Sequence, residues 1–289
     1  MKRGLNFGLF FVLACALSQG GPAFAALIAG ESFDGTGYTS GASLSGLNGG
    51  TGWAAGWTTV TTPATYPIDI ISGNLGNYTG LVNAGAHMRT WAEGNGTIRN
   101  YADRLFSTAI TDDGGTYWWA FQIALNDGKN GSHWTLTEPG DLHANNQTAN
   151  PIFTTTGDDA TVDFKFGTTT TLFSGDASYT PRLVVVKVQM SGDASNETLT
   201  AYVNPNLAAD PVTWTGTVRS VAYNSGFDGI RWAGNRASSS SFVSDVYIDE
   251  IRVATTWQEA VGQPIPEPSA MLLFVMGLLG LAMGARRRR

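Results

Sequence analysis

The sequence predicts an all-β protein built as a two-sheet antiparallel sandwich, and two observations carry this prediction. Short runs of β-branched and aromatic residues recur every 8 to 15 residues, with turn signals between them. Glycine supplies 36 of the 289 residues, charged residues only 14%, and no long amphipathic helical pattern occurs. About ten short strands of this kind are typical of two packed sheets, which at this length form one domain.

The individual strands follow from alternation and from turns. Residues 117–125 (YWWAFQIAL) end at an Asp-Gly turn, and residues 161–166 alternate apolar and polar side chains. The segments 182–190 and 197–203 are predicted to form a hairpin through a Ser-Gly-Asp turn. The remaining predicted strands are 211–218, 229–233 and 242–253, whereas residues 58–113 match nothing that can be placed.

The N-terminal segment has the three parts of a secretory signal peptide in order. Lys2 and Arg3 precede an apolar stretch over residues 5–17, and the small-residue pattern at 23–25 predicts cleavage after Ala25. One alternative stays open, because the residues leading to Cys15 also resemble a lipoprotein cleavage site at which Cys15 would carry lipid. Either way, residues 1–25 predict export.

The C-terminal segment predicts a short membrane helix. Residues 270–285 are sixteen apolar or small residues without a charge, and four arginines follow them. Sixteen helical residues span roughly 24 Å, less than the ~30 Å hydrocarbon core, so the helix is a marginal permanent anchor. The arginines are expected to stay on the cytoplasmic side, which leaves the rest of the chain outside.

The same tail resembles the PEP-CTERM sorting signal of Gram-negative bacteria. Pro266, Glu267 and Pro268 form its motif, followed by the hydrophobic helix and the arginine cluster. The resemblance implies recognition by exosortase, a membrane protease-transpeptidase, after transient anchoring in the inner membrane. It also implies release to the cell surface or extracellular space, in company with exopolysaccharide. A plain tail anchor is the alternative.

The predicted organisation therefore has three parts. These are a signal peptide (1–25), a β-sandwich body (26–261) and a sorting signal (262–289). Within the body, the segments 31–57 and 246–257 resemble the two ends of concanavalin A-like or laminin-G-like sandwiches. That resemblance implies a jelly roll in which the first and last strands lie side by side.

Charge and cysteine content indicate which partners suit the body and whether disulfides form. Removing six terminal basic residues from 17 leaves 11, and removing Glu267 from 23 acidic residues leaves 22, so the body carries a net charge of about −11. Nucleic acid and anionic membrane surfaces are poor partners for such a body, whereas neutral polymers and divalent cations suit it. The sole cysteine, Cys15, lies in the signal segment, so no disulfide is expected.

The sequence shows no recognisable catalytic constellation. Asp245 and Asp249 would share one face of a strand roughly 13 Å apart, against ~5 Å for a retaining glycosidase pair, and are interpreted as solvated acids of an edge or hairpin strand. The three histidines, in polar surroundings, are interpreted as solvated loop residues. No cofactor is predicted, and the acidic loops at 112–113 and 157–159 are interpreted as turns, with Ca²⁺ binding the alternative.

Aromatic residues give the one positive functional indication. Strand alternation sends Trp118 and Trp119 to opposite faces, so one ring could stack on a sugar, with core packing as the alternative. Three function classes follow. The first is a non-catalytic surface or matrix protein that binds polysaccharide, the second a glycoside hydrolase or polysaccharide lyase, and the third a structural spacer. No catalytic residue is assigned, and we predict that the chain is not an enzyme.

Overall fold

Two antiparallel sheets account for most of the described chain. The computed structural model describes residues 26–34, 37–62, 68–76, 85–92, 98–126, 132–137, 139, 153–156, 161–166, 168–174, 179–193, 197–221, 226–236 and 244–263. The predicted signal segment and the predicted helix at 270–285 lie outside these ranges. Within them, no helix is long and apolar enough to cross a bilayer.

Fifteen strands are present in the described part of the chain. One sheet contains β1 (Leu27–Glu31), β3 (Asp69–Ser72), β4 (Ala86–Ala92), β6 (Thr116–Asn126), β11 (Arg182–Gln189), β12 (Glu197–Val203), β13 (Thr217–Val221) and β15 (Ser244–Ala254). The other contains β2 (Thr58–Thr62), β5 (Ile98–Ile110), β7 (His133–Thr137), β8 (Phe153–Thr156), β9 (Thr161–Phe166), β10 (Thr168–Ser174) and β14 (Phe227–Arg236). The predicted two-sheet antiparallel sandwich is confirmed.

The strand orders show how the chain winds. The eight-stranded sheet runs β13-β12-β11-β6-β15-β4-β3, with β1 paired to the second half of β15. The seven-stranded sheet runs β10-β9-β8-β7-β14-β5-β2. The predicted hairpin at 182–203 is β11–β12, and the β1–β15 pair brings the two ends of the body together, as the jelly-roll resemblance implied.

Alternation along each strand fills the space between the sheets. Trp119 and Phe121 point inward from β6, and Trp134 and Trp232 meet them from the facing sheet. The Trp134 and Trp232 rings stack with centroids 5.0 Å apart and only 5° between their planes. Burial of these large rings, each at most 1% exposed, supplies much of the hydrophobic stabilisation.

A buried ion pair joins the two sheets at one end of this core. Arg104 of β5 pairs with Glu31 of β1, and both side chains are fully buried. The Arg104 guanidinium also donates to the carbonyls of Ala55 (3.1 Å) and Gly49 (2.7 Å). The other Glu31 carboxylate oxygen accepts from the Phe33 N–H at 2.9 Å. Because hydrogen bonds satisfy both charged groups, the pair is tolerated in an apolar interior.

One sequence prediction about a strand needs correction, and one stretch without a prediction proves to contain strands. The segment 211–218 is not one strand: residues Pro211–Thr213 form a 3₁₀ turn, and β13 begins only at Thr217. Pro211 occupies the first turn, where its fixed φ and missing N–H are tolerated, and Asp210 caps the turn by accepting from the Val212 N–H. Residues 58–113, which matched nothing that could be placed from the sequence, contain β2 to β5.

The body ends in one short helical turn. Helix α1 (Trp257–Ala260) begins at Thr256, whose side chain accepts from the Glu259 N–H. Gly262 follows in a left-handed conformation (φ +69°), which glycine adopts without a steric penalty. The last described residue is Gln263, which directly precedes the proline-rich part of the predicted sorting signal.

Candidate functional site

Both tryptophans proposed for glycan stacking are buried. Trp119 packs between the sheets and is 1% exposed, and Trp118, on the outer face of the eight-stranded sheet, is 7% exposed. The outer face is covered here by the segment 204–216 and by α1, so Trp118 belongs to a second, smaller apolar cluster with Leu207 and Val261. Stacking on Trp118 stays a prediction that would require this cover to move, and stacking on Trp119 would require the two sheets to separate.

A partly exposed aromatic surface lies on the cover that buries Trp118. We call Val212, Trp214, Val218 and Trp257 the Trp214 patch. Both tryptophans are half-buried, whereas Val212 is 86% and Val218 55% exposed. Apolar side chains that are exposed next to one another mark candidate binding surfaces, whereas single exposed ones are common on any protein.

The Trp214 indole is held in place on several sides. Its Nε1–H donates to the Asn206 carbonyl at 2.9 Å, and its ring meets Tyr202 edge-on at 5.3 Å and Trp257 edge-on at 5.4 Å. The connection to β13 can lie close against the sheet because residue 216 is a glycine. A Cβ at this position would approach the Tyr202 ring to 2.6 Å. A ring fixed in this way loses little conformational entropy when a ligand stacks on it.

A polar ladder lies beside the Trp214 patch on the same outer face. The register places Thr116, Gln189, Thr198 and Ser220 side by side on four adjacent strands. These side chains are exposed or half-buried, carry only hydroxyl and amide groups, and span about 14 Å across the strands. The neighbouring row adds Lys187 and Thr200. Aromatic rings next to neutral donors and acceptors can stack on a sugar ring and hydrogen-bond its hydroxyls.

Asp249 and Glu250 of β15 are buried, which corrects the interpretation of Asp249 as a solvated acid of an edge or hairpin strand. Strand β15 is central, between β6 and β4, and Asp249 and Glu250 are at most 1% exposed. The Asp249 carboxylate accepts from the Leu75 N–H at 3.2 Å and from the Glu250 N–H at 2.8 Å. Burial, and then the charge of Glu250, raise the pKa of Asp249 to about 8. The side chain of Asp245 lies outside the described part.

This shift predicts a pH dependence of stability. The folded-state pKa of Asp249 lies above its ordinary value of 3.8, so the native state binds the proton more tightly than the unfolded chain. The stabilisation is complete below pH ~4 and is lost as pH rises to about 8, with a slope of up to ~1.4 kcal/mol per pH unit. We expect Asp249→Asn to flatten this slope in urea-unfolding curves, and the exposed-site control Asp34→Asn to keep it. Identical slopes for wild type and Asp249→Asn would contradict the prediction.

Two histidines are buried rather than solvated, which is a further correction. His87 lies on β4 and His133 on β7, and they are 4% and 9% exposed. Burial lowers the pKa of His87. Its Nδ1 lies 2.6 Å from the Gly73 carbonyl, so Nδ1 carries the proton and Nε2 faces the Tyr179 hydroxyl at 3.5 Å. The third histidine, His143, is outside the described residues.

The acidic turn at 112–113 uses its carboxylates within the fold. Asp112 accepts from the Gly192 N–H at 2.7 Å, and Asp113 accepts from the Gly115 N–H and the Tyr117 hydroxyl, each at 2.8 Å. These bonds support its interpretation as a turn. The segment 157–159 is not described. Across the described ranges, no three acidic or histidine side chains are grouped to hold a metal ion.

Sequence reasoning did not single out Trp214 as a partly exposed ring of this cluster. The signal was weak, because Trp214 follows a Pro-containing turn and shows no alternation with its neighbours. The hydroxyl-rich composition of 197–203 (ETLTAYV) was visible as alternation, since Thr198 and Thr200 share the polar side of β12. What the sequence lacked was the register that aligns them with Gln189 and Ser220.

Comparison with known proteins identifies the C-terminal segment and gives distant likenesses for the body. Residues 264–289 match the family model described as the PEP-CTERM protein-sorting motif. No curated protein matches the chain.

Among solved structures, lectin II from Ulex europaeus has a TM-score of 0.41 at 8% identity, covering 79% of this chain and 98% of the lectin. The GH131 β-glucanase catalytic domain from Podospora anserina has a TM-score of 0.41 at 11% identity, covering 64% of this chain and 78% of that one. A protein from a study of mucin-degrading O-glycanases of the human gut microbiota has a TM-score of 0.44 at 11% identity, covering 80% and 100%.

The resemblance of the tail is thus confirmed by its family model, and the body is an all-β sandwich of two antiparallel sheets. The chain carries a PEP-CTERM protein-sorting motif at residues 264–289, directly behind a two-sheet β-sandwich.

Proposed function

We propose that the chain is an exported, non-catalytic surface or matrix protein that binds neutral polysaccharide through the outer face of its eight-stranded sheet. The observation that carries the proposal is the Trp214 patch beside the Thr116–Ser220 ladder. The half-exposed rings offer flat apolar faces, and the ladder offers hydroxyl and amide groups at one strand spacing. The net charge of about −11 on the body favours a neutral polymer over an anionic one.

The same proposal places the protein at the cell surface or outside the cell. The sorting motif supports recognition by exosortase in the inner membrane, with Pro266, Glu267 and Pro268 as the recognised residues. Release of the tail frees the body to associate with exopolysaccharide. A purely structural spacer would not need a partly exposed aromatic surface, so the Trp214 patch favours the binding proposal over the spacer.

Replacing Trp214 tests the binding surface. We expect Trp214→Ala to weaken binding to soluble barley β-glucan by about fivefold or more, because the stacking ring is lost. Trp214→Phe should retain most of the affinity. Affinity electrophoresis in gels containing the polymer measures the change.

The matched control for this experiment is Leu27→Ala, another partly exposed apolar residue, 37% exposed and outside the patch. It should bind like wild type. Circular dichroism and thermal unfolding verify that each variant is folded. A folded Trp214→Ala protein with unchanged mobility in the polymer gel would refute the proposed surface.

Processing gives a separate test. We expect the intact mass of the protein recovered from the host to correspond to a chain that starts at Ala26 and ends close to Pro266–Pro268. A control strain without exosortase should retain the tail. Mature protein that still carries the four terminal arginines would contradict exosortase sorting while leaving the binding proposal in place.

One observation favours the alternative of a hydrolase or lyase. His87 is held neutral with Nε2 directed at the Tyr179 hydroxyl, and Tyr247 lies against both rings at 5.5 and 4.8 Å. A neutral histidine facing a phenol is a pair able to exchange a proton in general acid–base catalysis. Incubation with β-glucan and alginate distinguishes the classes. New reducing ends or unsaturated products that disappear in His87→Ala would favour the enzyme.

A further inference from the structure

Strand β13 lies at one end of the eight-stranded sheet, with β12 on one side only. An edge strand leaves alternate backbone N–H and C=O groups unpaired, and proteins protect such groups with a bulge, a proline, a charge or a covering segment. Across the described ranges, no residue pairs with the outer side of β13. We call this side of residues 217–221 the β13 edge.

Within the described residues, the β13 edge has none of these protections. Its pairing with β12 runs from Thr217 to Val221 without a register shift, and the strand contains no proline. The one charged side chain, Arg219, points between the sheets. It stands opposite the buried Leu199, and its Cζ lies 6.0 Å from the Phe164 ring centroid on the facing sheet. The charge therefore does not guard the edge.

The other ends of the two sheets are protected or less apolar. Strand β3 is covered by the segment 41–44, whose N–H groups donate to the carbonyls of residues 68 and 70 at 2.8 and 2.7 Å. The pairing of β10 with β9 contains a register shift between 171 and 173. Strand β2 is regular, but its Val60 is a single exposed apolar residue between threonines. Single exposed apolar residues are common on any protein.

The β13 edge differs because it continues into a larger apolar surface. Val218 is 55% exposed and belongs to the Trp214 patch, with Val212 and the two half-buried tryptophans beside it. A strand that pairs with β13 would satisfy its open backbone groups and also remove Val218 from water. The edge therefore fits another β-strand that presents an apolar side chain at the same level.

We infer that the β13 edge pairs antiparallel with β13 of a second copy of this chain, about a two-fold axis at Val218. In this register Val218 faces its own counterpart, and Arg219 lies opposite Thr217 of the second copy, so no like charges are opposed. An axis at Arg219 would set two guanidinium groups opposite each other. An axis at Ser220 would leave Val218 opposite residue 222, beyond the end of β13.

This pairing joins the eight-stranded sheets of the two copies into one. The two-fold axis is perpendicular to the joined sheet, so both outer faces point in the same direction and the two Trp214 patches lie side by side. The dimer does not depend on any ligand. Its consequence for binding rests on the proposed function, because a polysaccharide chain that contacts both patches is held with avidity.

Sedimentation of the purified exported protein tests the pairing. We expect a species of twice the chain mass at about 100 µM that dissociates on dilution, because one strand pair makes a small interface. Rising salt should strengthen the dimer, since the net charge of about −11 on each body opposes association. Val218→Lys should weaken it at least tenfold by placing two charges at the axis. Val60→Lys, an exposed valine on the edge strand β2, is the matched control and should dimerise like wild type.

Cysteine cross-linking tests the register. The sole cysteine, Cys15, lies in the predicted signal segment, so an introduced thiol has no competitor in the body. Across the axis the two Val218 Cα atoms are about 5 Å apart, within the range of a disulfide, and Val218→Cys should form a disulfide-linked dimer in air. The two Ser220 Cα atoms are roughly 14 Å apart, so Ser220→Cys should stay monomeric in non-reducing gels.

The outcomes separate this inference from the proposed function. A protein that is monomeric at every concentration, or a dimer weakened equally by Val218→Lys and Val60→Lys, overturns the pairing. Cross-linking in Ser220→Cys but not in Val218→Cys overturns it too, and so do dimers lost only in Trp214→Ala. Monomers whose binding to β-glucan falls in Trp214→Ala leave the proposed function standing. Dimers that cross-link through Val218→Cys but bind no β-glucan retain the pairing and overturn the proposed function. Circular dichroism verifies that each variant is folded.

Discussion

Arg104→Ala is expected to destabilise the body by about 3–5 kcal/mol, because it leaves the Glu31 carboxylate buried without its cation. The guanidinium also holds Asn48 Oδ1 and the Gly49 carbonyl, both at 2.7 Å, and those acceptors lose their donor. Its Cζ lies 4.7 Å from the Trp53 ring centroid, so packing is lost as well. Urea unfolding at pH 7 measures the change.

The control for this prediction is Arg89→Ala. Arg89 forms a comparable two-bond pair with Asp69, but the side chain is 24% exposed, and we expect a loss of about 1 kcal/mol or less. The double variant Glu31→Leu/Arg104→Met should recover part of the loss, since it removes both charges together. Equal losses in Arg104→Ala and Arg89→Ala would show that burial of the inter-sheet pair does not matter.

Trp134→Ala is expected to cost about 3–5 kcal/mol, through lost burial and the cavity left behind. The ring is fully buried and contacts the rings of Trp232 and Phe153, at 5.0 and 5.6 Å. Few routes exist for the core to close this space, because the neighbouring rings are held by both sheets. Thermal and urea unfolding report the loss.

Trp134→Phe separates ring packing from the indole N–H. Within the described part of the chain, Trp134 Nε1 has no hydrogen-bond partner, so phenylalanine removes an unsatisfied donor while it keeps an aromatic ring. We expect this variant to lose less than half of what Trp134→Ala loses. Equal losses in the two variants would argue against cavity formation as the main effect.

Local patterns sufficed for those parts of the fold whose partners are near in sequence. The alternation of 161–166 and the turn between 182–190 and 197–203 correctly predicted β9 and the β11–β12 hairpin. The segment 211–218 failed, because its β-branched residues masked a capped proline turn. Strand propensity and turn chemistry are properties of a short stretch of sequence. The effect of distant residues that pack against that stretch is not contained in it.

The candidate site was less accessible to such analysis. Alternation correctly separated Trp118 from Trp119, but it could not show that Trp214, almost a hundred positions later, packs against Trp118 at 6.4 Å. Nor could it show that Asp249 is buried beneath Leu75. The residues that bury Trp118 and Asp249 are remote from them in sequence. Burial is what hides the indole ring from ligands and raises the pKa of the carboxyl group.

By itself the sequence determined the fold class and the sorting motif at 264–289, whereas the meeting of the first and last strands was implied only by the resemblance to concanavalin A-like sandwiches. The fold class and the motif depend on composition, side-chain period and a contiguous stretch of residues, which are local properties. Only the tertiary structure decided which rings stay partly exposed, which acids are buried, and which polar side chains align across strands. Those properties depend on register and on the packing of distant segments, since one residue of slip would turn every side chain to the other face of its sheet.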